Sequence, residues 1–386
     1  MTGPLRSRLQ VSALYLGGFL GPFGGAVVAS MLPEMGSGLG VSSGSASSSL
    51  TAYLLPFALT MLVSGTLGAR WGRLRTVRIA YGVYLVASIA CALAPGLYFL
   101  LGARVVQGCA NAFTTPLLLA ALAMITPKER LGRVLGTFGA LQAAGQTSAP
   151  LVGGLAAEFD WRYAFLVLAV VSAVLGLIGL PAQASAPASA TPERLRDALT
   201  PRVLRIGVVA LLGWGALGGL SFLLAFRAED DFGLSPGLRG LLLTGFGAAG
   251  IVAARPVGGL IDRIGPRRTI VIGAVGGAAL IAAAGTVNVV IVVGIVWAIA
   301  GVASQFVLVG VNAAVLGASG PNRGGSVSVV QAFRFTGAAL APLALTPVYQ
   351  VHPAAAFLVP AALLAVIAPL VMPAPDSRAP GLERSS

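Results

Sequence analysis

Long apolar runs, separated by short polar punctuation, follow one another along most of this chain. About 20 predominantly apolar residues cross a bilayer as a helix, and in hydrocarbon a helix satisfies its own backbone. The runs predict twelve helices, near 11–33, 47–69, 77–95, 97–125, 134–157, 163–181, 205–226, 237–260, 269–287, 289–317, 325–349 and 354–374. The first begins about a dozen residues after Met1, is too long for a cleaved signal segment and shows no small-residue cleavage pattern.

Composition agrees with the pattern. Of 386 residues 56% are hydrophobic and 10% charged, and the mean hydropathy is +0.90. Cys91 and Cys109 both fall inside predicted spans, where two thiols read as small packing residues rather than a disulfide framework.

The formal charge of +13 raises the question of nucleic acid, but its distribution points elsewhere. Nineteen of the 25 basic residues collect on one side of the predicted spans: Arg6, Arg8, Arg70, Arg73, Arg75, Arg78, Lys128, Arg130, Arg133, Arg194, Arg196, Arg202, Arg205, Arg263, Arg267, Arg268, Arg323, Arg378 and Arg384. The other side holds Arg162, Arg227 and Arg239, and Arg104, Arg255 and Arg334 lie within or at the edge of spans. Positive loops stay cytoplasmic, so both termini are expected inside. The basic balance is a topology signal that also suits anionic lipid headgroups. Twenty-four Arg to one Lys, with abundant Ala and Gly, suggests a high-GC bacterium and hence its inner membrane.

The chain also repeats itself. LGVSSG (39–44) aligns with FGLSPG (232–237), and GTLGARWGRLR (65–75) with GGLIDRIGPRR (258–268), both at an offset of 193. At 192, Ala149-Pro150 meets Ala341-Pro342, and Gly145 meets Gly337. A constant offset marks duplicated units. The expected architecture is all-α, with two pseudo-symmetric six-helix bundles at 1–182 and 205–386 joined by an Ala-, Ser- and Pro-rich linker at 183–204.

Two homologous six-helix halves around a central cytoplasmic loop resemble the major facilitator superfamily of secondary transporters, over nearly the whole chain. Its best-known signature is a Gly-rich, Asp-Arg, basic loop between the second and third helices. Gly65, Arg70, Gly72, Arg73 and Arg75 match it, with Ala69 where the family usually has Asp. The second copy is fuller, with Gly258, Asp262, Arg263, Gly265, Arg267 and Arg268. The resemblance implies a conformational latch that breaks as the halves rock, carried by Asp262 alone if Ala69 disables the first copy. The plain alternative is a basic loop that only sets topology.

In GTFGALQAAGQTSAPLVGG (136–154), Gly136, Gly145, Pro150, Gly153 and Gly154 resemble the fifth-helix motif of proton-coupled drug exporters, with Ala149 for the usual Gly. Small residues let helices approach and Pro kinks a span, so generic glycine packing is the competing reading. DWRYAF (160–165) also looks like a stretch common in drug exporters.

Arg104 stands near the start of the fourth span, with Gln107 and Asn111 one and two turns along the same face. An intramembrane charge marks a function by default, and Arg followed by Gln and Gly resembles a family pattern linked to proton transfer. Snorkelling toward headgroups and a structural bond to kinked backbone are the alternatives. No acidic residue falls clearly at the centre of a span, which weakens the case for a strictly cationic substrate. Glu34, after Pro33, is the best remaining proton carrier, against an ordinary helix-end role. Glu229, Asp230 and Asp231 read as a solvated face, and His352 as incidental.

No metal-ligand cluster, catalytic set or phosphate loop is present, so neither an enzyme nor a cofactor is expected, and no nucleotide domain exists for an ATP-driven pump. The expected function is export of small, largely hydrophobic, drug-like compounds by proton antiport with alternating access. The protein is expected to act as a monomer in the lipid bilayer. The expected cavity residues are Tyr15, Phe19, Tyr53, Asn111, Gln142, Trp214, Gln305, Asn312, Phe333 and Arg334. The aromatic members could equally serve packing or lipid contact, and Arg334 could pair structurally. An importer or facilitator of a small organic anion is the second reading, and a membrane sensor on a transporter scaffold a third.

Overall fold

Helices begin and end close to where the apolar runs do. The structure is a computed structural model and describes residues 3–181, 195–317 and 323–373. Its helices are α1 Gly3–Ala26, α2 Leu32–Gly38, α3 Ser43–Trp71, α4 Arg73–Ala92, α5 Leu97–Ala112, α6 Thr114–Ile125, α7 Lys128–Ala157 and α8 Arg162–Ile178. They continue with α9 Pro201–Ala216, α10 Ser221–Asp230, α11 Pro236–Ile264, α12 Pro266–Thr286, α13 Val290–Leu316, α14 Arg323–Val351 and α15 Pro353–Val371.

Nine stretches among the described residues are long and apolar enough to cross a membrane. The predicted first, fifth and sixth spans are occupied by α1, by the more polar α7, and by α8, which has 17 residues. Of the predicted linker, residues 183–194 lie outside the described residues. Its end is ordered by Thr200, whose hydroxyl accepts a bond from Val203 N at 3.3 Å and caps α9.

Three predicted spans differ from continuous helices, each for a local reason. The first stops at Ala26, four residues after Pro22, and the chain turns before α2. The fourth divides at Phe113 into α5 and α6, because Pro116 has no N–H to donate to the Ala112 carbonyl. The seventh breaks after α9 at Leu217, where Gly218-Gly219 forms a 3-10 turn before α10.

The sequence repeat reappears as repeated packing. α1 packs on α7 as α9 packs on α14, α3 on α5 as α11 on α13, and α4 on α8 as α12 on α15. Between the two sets, α7 packs on α11 and α3 on α14, and these two pairings exchange under the same relation. The correspondence holds to single atoms. Gly108 of α5 lies against the Tyr53 carbonyl, and Gly301 of α13 lies against the Phe246 carbonyl, both members shifted by 193. Gly145 meets the Phe19 carbonyl as Gly337 meets that of Leu211, both shifted by 192. The turns match as well: Gly72 and Gly265 have φ of +89° and +81°, a region L-residues with a Cβ avoid.

A Cβ at Gly108 or Gly301 would overlap the facing carbonyl, and overpacking of this kind costs roughly 1–3 kcal/mol. Gly108→Ala and Gly301→Ala should each lower the thermal unfolding midpoint of the purified protein. Gly136→Ala, where a Cβ meets nothing within 4 Å, should not.

Candidate functional site

Because α1 ends at Ala26, its last carbonyls have no partner within the helix. Arg104 supplies one from α5. Its Nη1 donates to the Gly24 carbonyl at 3.1 Å and to Gln107 Oε1 at 2.5 Å, and its Nε to the Ser49 carbonyl of α3 at 3.3 Å. A cation at a helix C-terminus is favoured by the helix dipole. Gln107 in turn donates to Ser88 Oγ of α4 at 2.8 Å, and the guanidinium lies 4.2 Å from the Tyr53 ring centroid. Arg104 is fully buried. That removes the snorkelling alternative and leaves it tying α1, α3, α4 and α5 together.

One turn on, Asn111 Nδ2 donates to the Gly21 carbonyl at 2.9 Å and to the Tyr53 hydroxyl at 2.6 Å. Tyr53 and Asn111, expected to line a cavity, are therefore buried inside this network. In the second half, 193 residues beyond Arg104, stands Trp297, its ring tilted against Phe246 at 4.8 Å. The same packing position is filled there without a charge.

The two halves are closed against each other at the face away from the chain termini, here called distal. Arg239 of α11, almost fully buried, pairs through Nη2 with Glu34 Oε1 of α2 and through Nη1 with Glu229 Oε2 of α10 at 2.8 Å. Glu158, just past α7, accepts from the Gly237 N–H at the start of α11 at 2.8 Å. Ser47 and Thr346 hydroxyls lie 3.0 Å apart, and Thr51 donates to the Ala339 carbonyl at 2.6 Å. These contacts bear on two expectations. Glu34 is not an ordinary helix-end residue: it is paired with Arg239 of the other half. The acids after the seventh span are solvent-accessible, as expected, and also partnered: Glu229 pairs with Arg239, Asp230 accepts from the Tyr349 hydroxyl at 3.0 Å, and Asp231 pairs with Arg227 at 2.8 Å. Hydrogen bonds from the Ser235 hydroxyl and the Gly237 N–H hold the Glu158 carboxyl below its usual range.

The fifth-helix glycines divide between two partners. Gly145 and Gly153 lie against the carbonyls of Phe19 in α1 and Val27 just beyond it, while Gly154 lies against Pro236 at the start of α11. Gly240 of α11 answers from the other side against the Pro150 carbonyl. The Pro150 carbonyl also accepts from Ser30 Oγ at 2.6 Å. Gly136 is the exception: it sits near the exposed start of α7 with no neighbour to approach.

The latch residues lie at the face that carries the termini. Arg70, Asp262 and Arg263 are exposed, and Asp262 makes no ion pair among the described residues. Arg73 donates to Met124 Sδ of α6, and Gly65 lies near Pro116. Gly72 and Gly265 form the left-handed turns.

Of the other expected cavity residues, Tyr15, Phe19, Gln142, Gln305, Asn312, Phe333 and Arg334 are partly exposed and Trp214 is buried. Phe19 stacks on Phe23 at 5.4 Å. Phe333 lies against Gly207, and the amide of Gln305 against Gly250. Arg334 is stacked on Trp214 with its guanidinium carbon 3.7 Å from the ring centroid.

The Major Facilitator Superfamily model matches residues 14–236 and 216–385. An uncharacterised MFS-type transporter of Mycobacterium tuberculosis, Rv1250, is 35% identical over 167 residues, 43% of this chain and 29% of that protein. The drug efflux pump JefA of the same species is 32% identical over 177 residues, 45% of this chain and 35% of its own length. The match thus spans about a third of either relative. Among solved structures, a bacterial homologue of the human lysosomal transporter Spinster, in an inward-facing and occupied conformation, has a TM-score of 0.73 at 16% identity, covering 96% of this chain and 95% of that one. A POT family transporter in complex with a thioalcohol-conjugated peptide has a TM-score of 0.78 at 13% identity, covering 94% and 95%. Both share the fold.

Two predictions follow from this geometry. Replacing a buried charge with an apolar side chain of similar length often preserves stability. Arg104→Met should therefore fold, as Trp297 fills the equivalent place, yet lose transport, and Arg104→Lys, without the planar fork, should recover it only in part. Full transport by Arg104→Met would make the residue purely structural. The second concerns the distal face. Spin labels at Ser45→Cys and Gln350→Cys should move apart in Arg239→Gln, and less so in Glu158→Gln. Because the Glu158 carboxyl titrates below its usual range, its contact is complete above that range and is lost only as pH falls through the lowered value. Its share of the closure should not change between neutral pH and about pH 5.5.

Proposed function

This chain belongs to the Major Facilitator Superfamily, and we propose that it exports small, largely hydrophobic compounds from the cytoplasm in exchange for protons. The observation that carries this reading is the seat of the fifth helix. Gly145, Gly153 and Gly154 let α7 touch backbone on both sides, α1 within its own half and α11 in the other. A helix so placed transmits any shift of one half to the other, because nothing compressible lies between. The efflux pump among the relatives supports export over import of a small organic anion.

The protein is a multi-pass membrane protein, and its orientation follows from the arginines. With the basic face in the cytoplasm of a bacterial cell, the closed distal face is extracellular. The exposed latch residues then belong to a cytoplasm-open state, from which a hydrophobic compound enters the space between the halves. Release to the outside requires the Arg239 cluster to part. Glu34 is the candidate proton carrier on geometric grounds, because its ion pair with Arg239 must break for this face to open. On closing there, the exposed Asp262 loop is available as the opposite latch.

In proteoliposomes with an imposed pH gradient, hydrophobic compounds from a panel should accumulate in the acidic compartment and leak back when a protonophore is added. Glu34→Gln should flatten this dependence while leaving exchange of substrate intact. Transport that ignores a pH gradient of either sign would remove proton antiport from the reading.

A further inference from the structure

Three arginines of the bundle interior have their charge matched by acceptors. Arg104 has two carbonyls and an amide oxygen, Arg227 has Asp231 with the Ala284 and Val287 carbonyls, and Arg239 has two carboxylates. All three are buried. Arg334 is the exception on both counts. It is partly exposed and, like Arg104, makes no ion pair among the described residues; its Nε lacks a partner, as do Arg104 Nη2 and Arg239 Nε. Among the described residues, the one acceptor its guanidinium reaches is Gln331 Oε1, one turn back on α14 at 3.3 Å, where Arg104, Arg227 and Arg239 each have two or more.

What surrounds it is aromatic. Trp214 lies beneath the guanidinium and Phe335 stands 5.0 Å from it. Trp214 is fixed by the break that follows it in the seventh span, since Gly218 turns back against the indole ring. Phe335 meets Phe57 of α3 edge-on at 5.0 Å, so Arg334 lies beside a ring contact that joins the halves. Arg334 is half-buried beside this contact, and no carboxylate among the described residues pairs with it. Aromatic faces attract a guanidinium but offer no anionic acceptor.

We propose that Arg334, with Gln331 beside it and Trp214 and Phe335 as walls, binds the anionic group of an amphipathic substrate, of the aryl carboxylate or sulfonate class. The planar fork takes two anion oxygens, and the rings bury the apolar body. This narrows the substrate class of the export reading and rests on it for the direction of transport alone.

Equilibrium binding to the purified protein in lipid nanodiscs tests this without transport. Dansylglycine and its neutral amide share the same aromatic body. The wild type should prefer the acid by about tenfold, Arg334→Gln should bind both alike with unchanged affinity for the amide, and Arg334→Lys should keep part of the preference. The amide also reports that each variant is folded. No preference in the wild type, whether both probes bind equally or neither binds, overturns the proposal, as does a preference that survives Arg334→Gln. If the acid is preferred but no pH gradient drives its movement, the proton-coupled export reading fails and the anion site stands.

Discussion

A charge inside an apolar bundle has to be met by oxygen atoms, and few oxygens there are free, because helices consume their own carbonyls. This scarcity arranges the molecule. Arg104 finds its acceptors where α1 stops short at Ala26, and Arg227 finds them where α12 ends. Each arginine thereby fixes a helix end. Arg239 has no such end to cap and is met by carboxylates from α2 and α10 instead, so its partners come from two halves of the protein. The same requirement that stabilises one half in the first case joins both in the last.

Joining the halves is useful only if it is reversible. The distal closure consists of one buried arginine shared by two partly exposed acids, a few hydroxyl bonds and the close contact of α7 with α11. Partly exposed ion pairs are individually weak, and hydroxyls find other partners in water. Glycine contacts are different: they are tight because no side chain intervenes, and they separate cleanly because no side chain interlocks. A closure of this composition can open without unpacking either half.

How much of this was legible in the sequence depends on range. The helices could be read because hydrophobicity is local, and the repeat because equal spacing survives divergence. Gly145 and Gly337, aligned on sequence, turn out to face equivalent carbonyls. Helix breaks at Pro116 and Gly218-Gly219 had a local signal that continuous hydropathy masks. The Arg239 cluster could not be read at all, because Glu34 and Arg239 lie 205 residues apart and each looks like an ordinary helix-end charge. Tyr53 and Asn111 carried the residue types of a cavity lining, yet which face of a helix meets the neighbouring helix is decided by packing, and here it turned both inward.

The halves share a backbone plan but not their chemistry, and this asymmetry organises function. Where the first half buries Arg104, the second places Trp297, and where the first has Gln142, the second has Arg334. Arg104 and Arg334 thus sit at positions the repeat does not relate. The two are nevertheless connected by rings: Arg104 lies over Tyr53 at 4.2 Å, Tyr53 stacks on Phe57 at 6.2 Å, Phe57 meets Phe335 at 5.0 Å, and Phe335 flanks Arg334 at 5.0 Å. Three of these contacts lie within one half or the other. The fourth, Phe57 against Phe335, crosses between α3 and α14 and is the link in this row that a rocking of the halves would break. Arg104 and Arg334 are thus joined through one ring contact between the halves, and that contact lies on the same α3–α14 seam as the Ser47–Thr346 and Thr51–Ala339 bonds that close the distal face.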